Sequence, residues 1–285
     1  MTIISGCAGP TAEVAGEPEI SVRTGPVLAE KVALPLDAYM LDARSEAIVT
    51  YATSLIAAKC LARFGYQVVP PPLVEGRPGH PDRFGITDEA EARRYGYHPP
   101  PSRLAGPRRE PELPPGAYAI MHGEVARSEA GQVPEGGCLG EGRRALGSAS
   151  AESFALPFAL AGEATARARQ DRRLLAAFDD WRDCMSKRGH DYPDPWKAND
   201  DVRWQGSNVA TATEREVAVA DVTCKRETNL INIWMAVEAA YQTRSIEENE
   251  TRLDEVKQTM DAELRAATSV VMSSGTTWSP HVAPR

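Results

Sequence analysis

The chain has 285 residues, of which 42% are apolar, 25% charged and only 6% aromatic. That allows one or two domains with cores built mainly on Ala, Leu and Val, and no run approaches the ~20 apolar residues of a membrane-spanning helix. A net charge of −8 argues against nucleic acid as a partner, because phosphate contacts need a basic face.

The N-terminus reads Met-Thr-Ile-Ile-Ser-Gly-Cys. Ile4-Ser5-Gly6-Cys7 resembles a bacterial lipobox, in which small residues precede the cysteine that becomes the lipidated first residue of the mature protein. Of the apolar stretch of about 7–15 residues that a signal peptide carries, only Ile3 and Ile4 stand here. Residues 8–33 have little periodicity and are rich in Ala, Gly, Pro and Glu, as a flexible tether is. Setting Cys7 aside leaves Cys60, Cys138, Cys184 and Cys224, an even number that suits two bridges in an oxidising compartment. Four reduced thiols in a cytoplasmic protein are the bland alternative.

Residues 37–64 read as a helix capped by Asp37 or Asp42 and stopped by Gly65, with apolar residues at three- and four-residue steps. Residues 66–116 are a Pro-rich insertion, holding 12 of the 22 prolines between Pro70 and Pro115, so long helices and central strands are excluded there. One short helix fits at Asp88–Tyr95, and the rest is expected to be extended loop lying on the helices or partly disordered. A helix over 134–147 carries Cys138. A third helical stretch spans 150–188, expected to break at Pro157 and to close at Gly189, with Leu174, Phe178, Trp181 and Met185 on one face. Residues 190–211 are a polar, aromatic loop.

Residues 212–272 contain neither Gly nor Pro and repeat apolar residues at helical steps. An unbroken helix of that length is about 90 Å long. It must therefore either break near Asn249 or project as an arm, whose stripe of Ile246, Leu253, Val256, Met260 and Leu264 would pair with a second copy of the chain. The expected organisation is a tether over 1–33, a helical domain over 34–272 in two stapled halves (about 34–148 and 149–272), and a disordered tail over 273–285. The fold class is mainly α, a disulfide-stapled helical bundle with a long C-terminal helix. For the bridges we expect Cys60–Cys138 and Cys184–Cys224. Cys184 ends one helix and Cys224 lies early in the next, so antiparallel helices would bring them side by side; Cys60 and Cys138 stand in the same relation.

Cys60-x4-Gly65-Tyr66 and Cys184-x4-Gly189-His190 repeat one helix-end pattern, each followed by an extended, Pro-bearing segment. The segments Trp181–Pro195 and Glu216–Lys225, with the helix around Cys60 and the Gly136-Gly137-Cys138-Leu139-Gly140-Glu141 motif, resemble a family of secreted proteins and lipoproteins of actinobacteria. The resemblance covers roughly residues 37–270. It implies export and brings no activity with it.

Candidate catalytic groups are sparse. His80, His98, His122, His190 and His281 have no partner at metal-ligand spacing, and the cysteines lack Cys-x2-Cys pairs, so no metal and no cofactor is expected. His80-Pro81-Asp82 imitates the tripeptide of J-domain co-chaperones but sits in the Pro-rich loop rather than between two helices. Cys138 among glycines could be a nucleophile, but a bridge is the stronger reading. Asp179-Asp180 and Glu247-Glu248 are acid pairs of the kind that cleave glycosides, though neighbouring acids on a helix usually form a solvated face. Tyr192, Trp196 and Trp204 are the ligand-binding candidates: beside polar groups such rings either stack on a sugar or lie as a lid over the helix ends. The expected function is that of a non-enzymatic lipoprotein on the extracellular face of the cell membrane, anchored through Cys7 and binding an envelope protein. A peptidoglycan- or glycan-binding protein or hydrolase is the alternative, and a cytoplasmic helical protein with free thiols is a third.

Overall fold

The computed structural model describes residues 16–25, 27, 32–73, 83–101 and 113–275. Cys7, the His80-Pro81-Asp82 tripeptide, His281 and most of the expected tail lie outside them. Ten α-helices and one two-residue hairpin are present among the described residues, and none of the helices is long and apolar enough to cross a membrane.

A 3-10 turn over Pro35–Tyr39 leads into α1 (Ala43–Arg63), which Asp42 caps by accepting from the Ser45 N–H at 2.7 Å. The short helix expected in the Pro-rich region is α2 (Glu89–Tyr95), capped by Asp88. Then come α3 (Pro115–His122), the hairpin (Arg127–Ser128 with Gly131–Gln132) and α4 (Gly137–Leu146). Neither α3 nor the hairpin is signalled by periodicity.

The expected break at Pro157 is not there. Helix α5 (Ala151–Ala168) runs through it, because Leu160, Ala164 and Ala168 bury one face and hold the helix together where its own ladder lacks a donor. The break comes at Asp171, whose side chain caps α6 (Arg172–Lys187). After α7 (Pro195–Asn199) and a 3-10 turn over Val202–Trp204, the glycine-free stretch divides into α8 (Ala212–Glu227), α9 (Leu230–Glu248) and α10 (Glu250–Ser273). The second of its breaks, at Asn249, is the one expected. The first is at Asn229, which takes the left-handed conformation (φ 55°).

Helix α10 does not project. Ala267 and Val271 are buried with Ala52 against α1, and Leu253 and Ile246 sit with Leu36 and Leu160. The stripe expected to pair with a second copy is thus largely used inside the chain, and the two expected halves share an interface. The largest core gathers α5, α6, α8 and α9 around Trp181, Met185, Leu230 and Trp234. A smaller one surrounds Cys60 and Cys138 where α1, α3 and α4 meet.

Both expected cysteine pairs are bridged, with Cα–Cα distances of 5.5 Å (Cys60–Cys138) and 5.6 Å (Cys184–Cys224). The geometry behind the second differs from the antiparallel hairpin expected. Cys224 is near the end of α8, and α6 and α8 run in the same direction. Trp181 bonds to Asp221, Cys184 bridges to Cys224 and Arg188 pairs with Glu227, so the contacts advance together along both helices. The repeated helix-end pattern is real in its backbone. Gly65 (φ 86°) and Gly189 (φ 82°) are left-handed, the Tyr66 N–H donates to Leu61 O at 3.1 Å, and the His190 N–H donates to Met185 O at 3.0 Å.

Part of the expected tether is also fixed. Residues 16–25 lie along α6 and α9, where their carbonyls accept from side chains: Gly16 O from Arg244, Pro18 O from Arg173, Arg23 O from Asn229 and Gly25 O from Asn232. An irregular segment with paired carbonyls and Ile20 packed on the core is no longer a free linker.

Candidate functional site

Three buried side chains of α8 hold the described middle of the Pro-rich region, residues 83–101. Glu214 closes a capping box with Thr211 at the start of α8 and accepts from the backbone N–H of Tyr97 at 2.9 Å. Two turns on, Asp221 accepts from Trp181 Nε1 at 3.0 Å, from Lys225 Nζ at 3.0 Å and from the Tyr97 hydroxyl at 3.3 Å. Lys225 completes its set on the carbonyls of Phe84 and Ile86, both at 3.0 Å. Arg83 pairs with buried Glu238, which also accepts from Thr165 at 2.7 Å. The segment therefore sits on the bundle through charge-assisted bonds at both of its ends.

His98 belongs to the same lock. Its Nδ1 lies 2.7 Å from Glu214 Oε1 and its Nε2 lies 2.7 Å from Ser207 O. A carboxylate and a carbonyl can both accept, so the protonated ring can donate to both at once. The hydrogen bond to Glu214 raises its pKa above the ordinary histidine value, and the bond to Ser207 adds to this. Gly96 makes the close approach possible: it is left-handed (φ 58°), and a Cβ there would stand 2.5 Å from Glu214 Oε1.

Between this segment and α7 and α9 lies a cavity of about 350 Å³. Phe84, Ile86, Tyr97 and Pro99 form one wall, Pro195 and Trp196 of α7 the other, with Trp234 of α9 beside them. Glu91, His98 and Asn199 add polar groups. Trp196 is half-buried, with Arg169 4.3 Å from its ring centre and the Trp234 ring edge-on at 4.7 Å. Trp234 is 2% exposed, and its Nε1 is a buried donor without a partner among the described residues.

The three aromatic candidates separate. Tyr192 and Trp204 lie in the core with their polar tips taken: the Tyr192 hydroxyl donates to Asp201 at 2.9 Å and Trp204 Nε1 donates to Ala198 O at 2.8 Å. Burial and the Asp201 carboxylate push the Tyr192 hydroxyl up to about 12, while the hydrogen bond from Arg203 holds Asp201 down at about 2. Trp196 alone lines the cavity. Its opposite wall comes from a segment about a hundred residues away, which nothing in the local sequence pattern announces. Two signals around the lock were readable, namely Thr211-x-x-Glu214 as a capping box and Asp221–Lys225 as an i,i+4 pair inside an apolar run.

Of the other histidines, His122 lies against Tyr118, with ring centres 4.3 Å apart, and His190 follows the Gly189 stop. No group of three His, Cys, Asp or Glu is placed to hold a metal ion among the described residues. Comparison with protein-family models, curated proteins and solved structures gives no match to this chain.

Proposed function

We propose that this chain is a binding protein of the cell envelope, anchored through a lipid on Cys7, that receives a small ligand in the cavity between Trp196 and the 83–101 segment. Two features support the setting: the two bridged cysteine pairs, which persist in oxidising compartments, and the lipobox-like Ile4–Cys7. The observation that carries the binding role is the cavity itself, of ligand size and walled by Phe84, Tyr97, Pro195 and Trp196. The groups around it already have structural duties, since Lys225, Asp221, Glu214 and His98 hold the cavity wall in place. The site reads as a rigid receptacle.

The test is a thermal-shift screen of a broad small-molecule library on the disulfide-intact protein. A ligand that binds the folded state alone raises the midpoint, and the rise should vanish in Trp196→Ala. A library without one such compound would sink the binding role. A second reading, a protein-binding component of an envelope assembly, is favoured by Phe154 and Phe158. These lie tilted against each other one turn apart on α5, 56% and 50% exposed.

A further inference from the structure

We propose that the Cys184–Cys224 bridge is a thiol-exchange site, at which Arg188 favours attack of an external thiolate on Cys184 Sγ while the chain stays folded, and that Cys60–Cys138 is closed to the same chemistry. Access separates the two bridges. Cys60, Cys138 and Cys224 are 0% exposed, and the first two lie in a core with Leu61, Ile120 and Val133. Cys184 is 7% exposed and sits in the last turn of α6, beside the exposed side chains of Arg188 and Glu227. Exchange requires a thiolate to reach a sulfur, so Cys184 is the one it meets. Arg188 Nη1 is 3.0 Å from Cys184 Sγ, and Glu227 Oε2 is 3.6 Å from the same sulfur. The incoming thiolate is an anion, and its charge spreads over three sulfurs in the transition state. A guanidinium against the attacked sulfur favours that state, as a neighbouring cation favours a thiolate. The carboxylate opposes it from slightly further away, and bonds of 2.8 and 2.9 Å from Arg188 Nη2 tie the two side chains together.

The co-reactant is a dithiol. One of its thiolates attacks Cys184 Sγ and forms a mixed disulfide there. The Cys184–Cys224 bond breaks, and its electron pair leaves on Cys224 Sγ, which takes up a proton. The second sulfur of the dithiol, as a thiolate, then attacks the first, closing the co-reactant's own disulfide. The electron pair of the mixed disulfide leaves on Cys184 Sγ, beside Arg188, and this sulfur too takes up a proton. The protein gains two electrons and two protons, and the dithiol loses as many. Two contacts keep α6 on α8 meanwhile. Trp181 Nε1 donates to Asp221 at 3.0 Å about one turn before the bridge, and Arg188 holds Glu227 about one turn after it. The exchange therefore needs no unfolding and runs backwards with an oxidised dithiol. It is independent of what the Trp196 cavity binds.

The experiment treats the disulfide-intact full chain with dithiothreitol in non-denaturing buffer, traps free thiols by alkylation at successive times and reads each cysteine by peptide mass spectrometry. Cys184 and Cys224 should become free together, at least about tenfold faster than Cys60 and Cys138, with near-ultraviolet circular dichroism retained. Oxidised dithiothreitol should reclose the pair. With glutathione as the probe, the trapped adduct should sit on Cys184. Two variants separate charge from mere loosening of the surface. Arg188→Gln should slow the opening about two- to fivefold, and Glu227→Gln should quicken it by a similar factor. Both changes break the same ion pair, so a purely structural role predicts that both quicken it, and that result overturns the assignment. Equal rates at the two bridges, no opening without loss of the dichroism signal, or an adduct on Cys224 would each overturn it as well.

Discussion

Trp181 and Asp221 are bonded across two helices that run the same way, the indole Nε1 donating to the carboxylate Oδ1 at 3.0 Å. Cys184–Cys224 and Arg188–Glu227 follow on the same two helices. Asp221 also holds Lys225 and the Tyr97 hydroxyl, so one buried carboxylate joins α6, α8 and the 83–101 segment. Asp221→Ala should leave a buried ammonium and two unpaired donors, and cost about 3–5 kcal/mol. Urea denaturation measures it, and a loss below 1 kcal/mol would contradict the role given to this group. Adding Lys225→Met to Asp221→Ala should recover part of the loss, since the stranded charge goes with it.

His98 gives the protein a pH dependence. Its folded-state pKa is raised above the unfolded value by Glu214 and Ser207. Its stabilisation is therefore fully present below about pH 6.5 and is lost as pH rises through the folded-state value. The stability gap between the natural protein and His98→Gln should be widest near pH 5 and close towards alkaline pH. A gap that grows with pH would refute this.

The two bridges should each contribute roughly 2–5 kcal/mol, with the 78-residue Cys60–Cys138 loop worth slightly more than the 40-residue Cys184–Cys224 loop in chain-entropy reasoning. Because Trp181–Asp221 and Arg188–Glu227 still hold α6 to α8, the Cys184→Ser/Cys224→Ser variant should remain folded at ambient temperature. Denaturant midpoints of the two double-serine variants give the order.

Gly137 sits where the end of α3 meets the start of α4. A Cβ there would lie 2.3 Å from Gly123 N and 2.4 Å from Met121 O, both backbone atoms that cannot swing aside, and φ is 70°. Gly137→Ala should destabilise by about 1–3 kcal/mol or more. Gly147→Ala, left-handed but in open space, should cost less. Equal effects would show that the contact between α3 and α4 is not tight.

The anchor is tested by fractionation. In the native host, Cys7→Ser should release the protein from membranes, because anchoring takes the acyl chains attached at that sulfur. Retention of the variant would remove Cys7 from the account.

The cysteine pairing was legible because each glycine stop fixes where a helix ends, and the sulfurs one turn before Gly65 and Gly189 had to find partners elsewhere. That α8 ends just after Cys224 was not legible. Asn229 turns the chain with neither Gly nor Pro, and an asparagine in the left-handed region looks in sequence like any polar helix residue. Pro157 misled for the opposite reason, since burial against neighbours outweighed a local penalty. At the cavity, Trp196 stood out as an aromatic beside polar groups. Phe84, Tyr97 and Trp234 did not, because their meeting depends on distant segments docking, which leaves no mark in local periodicity.

The irregular segment of residues 16–25, laid along α6 and α9, bears on the order in which the molecule is assembled. Its partners Asn229, Asn232 and Arg244 are made more than 200 residues after it. On a chain synthesised from its N-terminus, the first bridge can close once Cys138 has emerged and the second once Cys224 has. Glu17 and Pro18 can meet Arg172 and Arg173 of α6 earlier, but the rest of the segment must wait for α9, and contacts of such separation are the slow ones to form. The earliest-made described segment is thus among the last to find its full place, and until then the part of the large core that Ile20 covers stands open to whatever meets the nascent chain.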